Sequence, residues 1–134
     1  MKKLPKLLAL VLCLTLCVFT AVSCAGSQKI KNGYAKVVEY IEESLYDPES
    51  LKISSAEGVF CSDGEDIYYK ISYNAKNRLG GYVGIKDYYY TYDTITGSVS
   101  TLSVTTTFGL QKSMYEIQKK GEKFEETYYY LKIK

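Results

Sequence analysis

The sequence predicts a single α+β domain. An amphipathic N-terminal helix packs on an antiparallel β-meander of about four strands, followed by a further C-terminal helix and a final segment that reads equally as helix or closing strand. Three observations carry this expectation. Ile30, Tyr34, Val37, Val38, Ile41 and Leu45 recur at the spacing of one helix face. From Leu51 the apolar period shortens to two, most clearly where Ile67, Tyr69, Ile71 and Tyr73 alternate with Tyr68, Lys70, Ser72 and Asn74. After Thr106 the longer period returns, in Leu110, Met114 and Ile117. Helices gathered on one face of the sheet, with the other face wet, fit that order.

Taken in order, Met1 to Lys6 carries three lysines and no acid, and Leu7 to Val22 is a run of sixteen uncharged, mostly apolar residues. This is the pattern of a secretory signal, and the run is short for a hydrocarbon core of about 30 Å. It ends in Ala21-Val22-Ser23-Cys24-Ala25, which resembles the lipobox of bacterial lipoproteins. The resemblance implies cleavage before Cys24 and a diacylglycerol on its sulfur, holding the protein on the extracytoplasmic face of the cell membrane. Two acyl chains anchor stably where one is marginal. Residues 1–23 then form the signal peptide, 24–32 the lipidated cysteine and a short tether, and 33–134 one domain. An ordinary secreted protein cut near the same place is the alternative.

The leader holds three of the 17 basic residues and none of the 15 acidic ones, so 14 face 15 in what remains. A nearly neutral domain offers no electrostatic case for nucleic acid. Cys13 and Cys17 leave with the leader, and with Cys24 given to lipid, Cys61 has no partner for a disulfide. Roughly 110 residues remain, enough for one core without staples.

Ala25 to Asn32 reads as a polar tether, spanning at most about 30 Å when extended. The regular helix begins near Gly33, because an interior glycine costs about 1 kcal/mol relative to alanine. Asp47-Pro48 stops it, since proline disfavours helical geometry in the preceding residue. Leu51 to Phe60 is a first strand, and Cys61 to Asp66, with Asp63-Gly64, a turn. Ile67–Tyr73 and Lys86–Tyr92 form a tyrosine-rich pair joined across Asn74–Gly84. Asp93 to Ser98 turns into a fourth strand, Val99 to Thr105. The second helix runs from near Gly109 to near Lys120, and Glu125 to Ile133 is the segment open to a closing strand.

The composition excludes much chemistry. Without histidine there is no Ser–His or Cys–His pair and no common zinc site. Cys61 lacks an activating neighbour and reads as structural. Asp63, Glu65 and Asp66 depart from the calcium-loop spacing and read as a solvated turn. Gly80-Gly81-Tyr82-Val83-Gly84 lacks the phosphate-loop order, and its glycines suit a wide turn. No catalytic residue, metal or cofactor is expected.

Binding is more legible. Eight of the 15 tyrosines lie between Ile67 and Asp93, with Tyr88, Tyr90 and Tyr92 on one face and Tyr89 on the other. In a chain without tryptophan the inner row supplies core bulk, leaving the outer row, with Tyr68, as a contact surface. Asn74, Lys76, Asn77 and Arg78, beside Tyr82, form a candidate recognition loop. The alternative is that the asparagines bond their own turn and the cations are solvated. Tyr73-Asn74-Ala75-Lys76-Asn77, then Gly80-Gly81-Tyr82, and the earlier Leu45-Tyr46-Asp47-Pro48-Glu49-Ser50-Leu51-Lys52 resemble segments recurring in small exported bacterial proteins. That resemblance spans roughly Tyr34 to Tyr92 and implies fold and compartment, with no activity attached.

The expected function is a membrane-anchored, non-catalytic binding module for an envelope protein or the cell wall. One alternative is an envelope glycan hydrolase using Asp87 and Asp93 as its carboxylate pair. Another, by fold analogy alone, is an inhibitor-like domain.

Overall fold

Helix α1 (Leu4–Ser44) is followed by a single 3-10 turn (Pro48–Ser50) and strands β1 (Lys52–Cys61), β2 (Asp66–Asn74), β3 (Lys86–Asp93) and β4 (Val99–Ser100). Helix α2 (Thr105–Lys119) then leads to β5 (Tyr128–Lys132). The computed structural model describes residues 4–101 and 105–134, with side chains from Cys24 onward. Residues 1–3 of the expected signal peptide, and residues 102–104 of the expected fourth strand, lie outside the described residues. The strands form one antiparallel sheet in the order β4-β3-β2-β1-β5. The α+β architecture expected from the sequence is the one observed, and the open C-terminal segment is a strand. It closes the edge beside β1, reached through α2.

The core lies between α1 and one sheet face, where Ile30, Val37 and Ile41 meet Ala56, Phe60, Ile67, Tyr69, Ile71, Tyr73 and Tyr90. Buried tyrosines need partners for their hydroxyls. Tyr69 donates to the carbonyl of Ile30 at 2.6 Å, using that oxygen's second lone pair, and the Tyr73 and Tyr90 hydroxyls bond each other at 3.0 Å.

The expected tether is instead helical. Ile30 is fully buried, and Gly26 packs beneath the ring of Tyr129. Gly33, expected to open the helix, lies inside it. Gly26, Ile30, Gly33, Val37 and Ile41 step by four and three along the sheet-facing side. A Cβ on Gly26 would collide with Tyr129, and one on Gly33 with the hydroxyl of Tyr69 and the ring of Tyr92. Opposite them, a Cβ on Gly58 would strike Ile30. These glycines let helix and sheet approach closely, and the packing gained outweighs the propensity lost.

The other sheet face is not wet. Phe108 is buried with its ring edge-on to Tyr89, centroids 5.9 Å apart, and Tyr115 packs on Tyr130 at 5.3 Å. On the strands Tyr89 and Glu57 alternate with residues facing α1, so α2 covers the opposite face. Val59 is fully buried on this side. Phe108 and Tyr115 are what α2 packs on the outer aromatic row, whereas Leu110 and Ile117 of the expected stripe stay exposed, 62% and 39%.

Candidate functional site

Two separated stretches meet where α1 ends. After Ser44 the chain turns, and Asp47 accepts at its carbonyl from the Ser50 amide at 3.1 Å and hydroxyl at 2.6 Å. The Ser50 oxygen, buried, accepts in turn from the backbone N–H of Lys76 at 2.9 Å. The Asp47 carboxylate lies 3.7 Å from the Lys76 ammonium. Lys52 sits 4.3 Å from the centre of the Tyr82 ring and Lys76 5.8 Å from it. The Asp47–Lys52 segment is therefore the seat on which the Asn74–Gly84 loop rests.

The loop is also held from within. Lys76 and Tyr82 pair across an antiparallel bridge. The Asn77 side-chain oxygen accepts from the amides of Leu79 at 3.0 Å and Gly81 at 3.2 Å, and that of Asn74 accepts from Gly84 at 3.0 Å. Gly80 and Gly84 adopt φ of 80° and 91°, a region that costs other residues strain. Asn74 and Asn77 thus bond their own turn, the alternative the sequence left open. Both therefore shape the loop.

What the loop presents is mostly apolar. Leu79 is 94% exposed, Ile85 63%, Val83 48% and Tyr82 42%, with Arg78 exposed beside them. Sequence reasoning missed Leu79, Val83 and Ile85 because they follow no period. Their signal was aliphatic residues inside a glycine-rich turn. Of the expected site residues, the structure brings together Asn74, Lys76, Asn77, Arg78 and Tyr82. Tyr68 lies apart, near the other end of β2, beside Val59 and Thr91 on the face that α2 shares. It is half-buried and its hydroxyl donates to Asp66 at 3.4 Å; burial first, then that carboxylate, raises its pKa.

Asp87 and Asp93 occupy opposite ends of β3, about 20 Å apart at some 3.3 Å per residue. A glycosidase pair needs roughly 5–9.5 Å. Asp87 accepts from the Ser72 hydroxyl at 2.6 Å and pairs with Lys70 at 3.0 Å, while Asp93 accepts from the amides of Thr96 at 3.0 Å and Ile95 at 2.8 Å. These donors hold both carboxyls below their usual range, opposite to what a general acid requires.

On the outer face Glu57 accepts from Lys112 at 2.5 Å and from the Tyr130 hydroxyl at 3.0 Å. Burial raises its pKa, but the two donors outweigh burial and leave it lowered. Beyond it, a cleft of about 510 Å³ between α2 and the β1–β2 turn is lined by Cys61, Asp63, Met114, Glu126 and Tyr128, among others. The Cys61 thiol donates to Asp63 at 2.6 Å, and burial pushes its pKa up, which suits a structural thiol.

Cys24 is exposed midway along α1, two residues before Gly26, which packs on Tyr129 of β5. The loop lies by the C-terminal end of the same helix, about 30 Å from Cys24 by the helical rise. Among the described residues no helix is long and apolar enough to cross a membrane. The fold and site together define a small α+β domain displaying a braced apolar loop. Compared with protein families, curated proteins and solved structures, the chain matches none.

Proposed function

We propose that this protein is a lipid-anchored, extracytoplasmic binding module, without catalytic activity, that engages a component of the cell envelope through residues 74–85. One observation carries the reading. A loop braced by Asn74 and Asn77 holds Leu79, Val83 and Ile85 in solvent by the C-terminal end of α1, about 30 Å along the helix from Cys24. Aliphatic side chains kept exposed by a rigid scaffold are characteristic of contact surfaces. The lipobox resemblance at Cys24 supports the anchor. With residues 25–32 helical and packed, the domain then sits against the bilayer without a spacer.

A sugar-stacking platform fits less well, because Lys52 already occupies space over the Tyr82 ring. The hydrolase alternative has lost its carboxylate pair. Two experiments test the proposal. Cys24→Ser is expected to move the protein from the membrane to the soluble fraction, and continued retention argues against lipidation. Residues 24–134 are then immobilised and offered insoluble cell wall and detergent-solubilised envelope side by side. Capture lost in Leu79→Ser and Ile85→Ser supports the loop, and capture unchanged in both removes it.

A further inference from the structure

We infer that the component engaged by this loop is an anionic lipid surface, into which Leu79, Val83 and Ile85 insert while Arg78, Lys86 and Lys52 meet the headgroups. The inference rests on the reading of residues 74–85 as the contact surface. It does not require Cys24 to be lipidated.

Charge and shape carry it together. Residues 74–86 contain Lys76, Arg78 and Lys86 and no acid. Lys52, over Tyr82, adds a fourth cation to this end. Of the nearby acids, Asp47 is matched by Lys76, and Asp87 is taken by Ser72 and Lys70. Glu49, exposed on the 3-10 turn, and Glu42 and Glu43, exposed in the last turn of α1, are the acids left over at this end. Leu79 sits in the turn itself, Val83 and Ile85 lie on the arm that returns to β3, all three are exposed, and the side-chain-to-backbone bonds fix that arrangement. Exposed aliphatic residues with cations beside them, Arg78 next to Leu79 and Lys86 next to Ile85, match anionic headgroups over an apolar interior. A glycan offers no such interior. A protein partner would need an acidic-rimmed pocket shaped to these residues, and that is one outcome of the test. Because about 30 Å of α1 separates the loop from Cys24, contact of both with one bilayer would lay residues 24–44 along the membrane plane.

All core residues lie between Ile30 and Ile133, so residues 24–134 keep the core without the leader; circular dichroism verifies the fold of each variant. This protein is sedimented with vesicles of phosphatidylcholine alone and of an equimolar mixture with phosphatidylglycerol. Each cation near an anionic surface contributes about fivefold, so the three free cations predict binding on the order of a hundredfold tighter to the mixture. Added salt should weaken it. Leu79→Ser should reduce partitioning about tenfold and Arg78→Ala about fivefold. Both side chains are exposed, so folding should be unaffected. Absent binding, equal binding to both compositions, or full binding by Leu79→Ser overturns the inference. If vesicles are ignored while Leu79→Ser abolishes capture of an envelope protein, the lipid surface is wrong and the loop reading stands. If the loop variants change neither assay, both fail.

Discussion

Gly33 sits where α1 crosses the sheet, and the Tyr69 hydroxyl occupies the space its side chain would need. Tyr69 in turn is tied to Ile30, one turn back along the helix. Alanine at 33 would gain about 1 kcal/mol of helix propensity, yet overpacking costs about 1–3 kcal/mol. Gly33→Ala is therefore expected to lower the urea midpoint. Tyr69→Phe loses about 1 kcal/mol for its hydrogen bond. Because it also removes the colliding atom, the double variant should lose less than the two single variants combined. A Gly33→Ala protein more stable than wild type would show that helix and sheet are not in such close contact. At the loop, Asn77→Ala removes the oxygen that accepts from Leu79 and Gly81. Amide exchange should quicken at those two positions, with a loss of about 1 kcal/mol. Arg78→Ala should leave exchange there unchanged.

At the scale of elements, α2 is docked by aromatic contacts and by the Glu57–Lys112–Tyr130 group. Glu57 has a lowered pKa in the folded protein, through Lys112 and Tyr130 acting against burial. Its stabilising contribution is therefore complete above the unfolded value near 4.3 and is lost as pH falls through the folded value. Lys112 is raised, chiefly by its bond to Glu57, so its contribution holds below about 10.4 and is lost as pH rises through its folded value. With Lys112 partly solvated, the pair should contribute only about 1 kcal/mol. Near-ultraviolet circular dichroism, which reads Tyr115 and Tyr130, should show loosening of α2 on acidification below about pH 4. Glu57→Gln should flatten that part of the profile. An unchanged acid limb in Glu57→Gln would assign the docking to the aromatic contacts alone. Both ends of α2 lie within a few residues of where the sequence put them. Which face α2 turns to the sheet was not legible. Phe108 and Tyr115 meet it, while Leu110 and Ile117 of the expected stripe stay exposed, because aromatic partners distant in sequence decided the face.

For the whole molecule, the helical course of residues 24–32 changes where the domain begins. A protein starting at Gly33 loses Ile30, fully buried, and the Gly26–Tyr129 contact. It should be destabilised by about 2–5 kcal/mol, the range for emptying a buried aliphatic site; a true tether would be dispensable, so unchanged stability in urea would restore that reading. The sequence by itself determined the α+β class, the inward row of Ile67, Tyr69, Ile71 and Tyr73, the turns, and the place of the loop. These are local properties, written in period and turn chemistry. Only the tertiary structure decided that Gly26 and Gly33 belong to a packed helix, that the outer tyrosine row lies under α2, and that Asp47–Lys52 seats the loop. Each of these depends on residues distant in sequence meeting in space, where burial and close approach override average propensity.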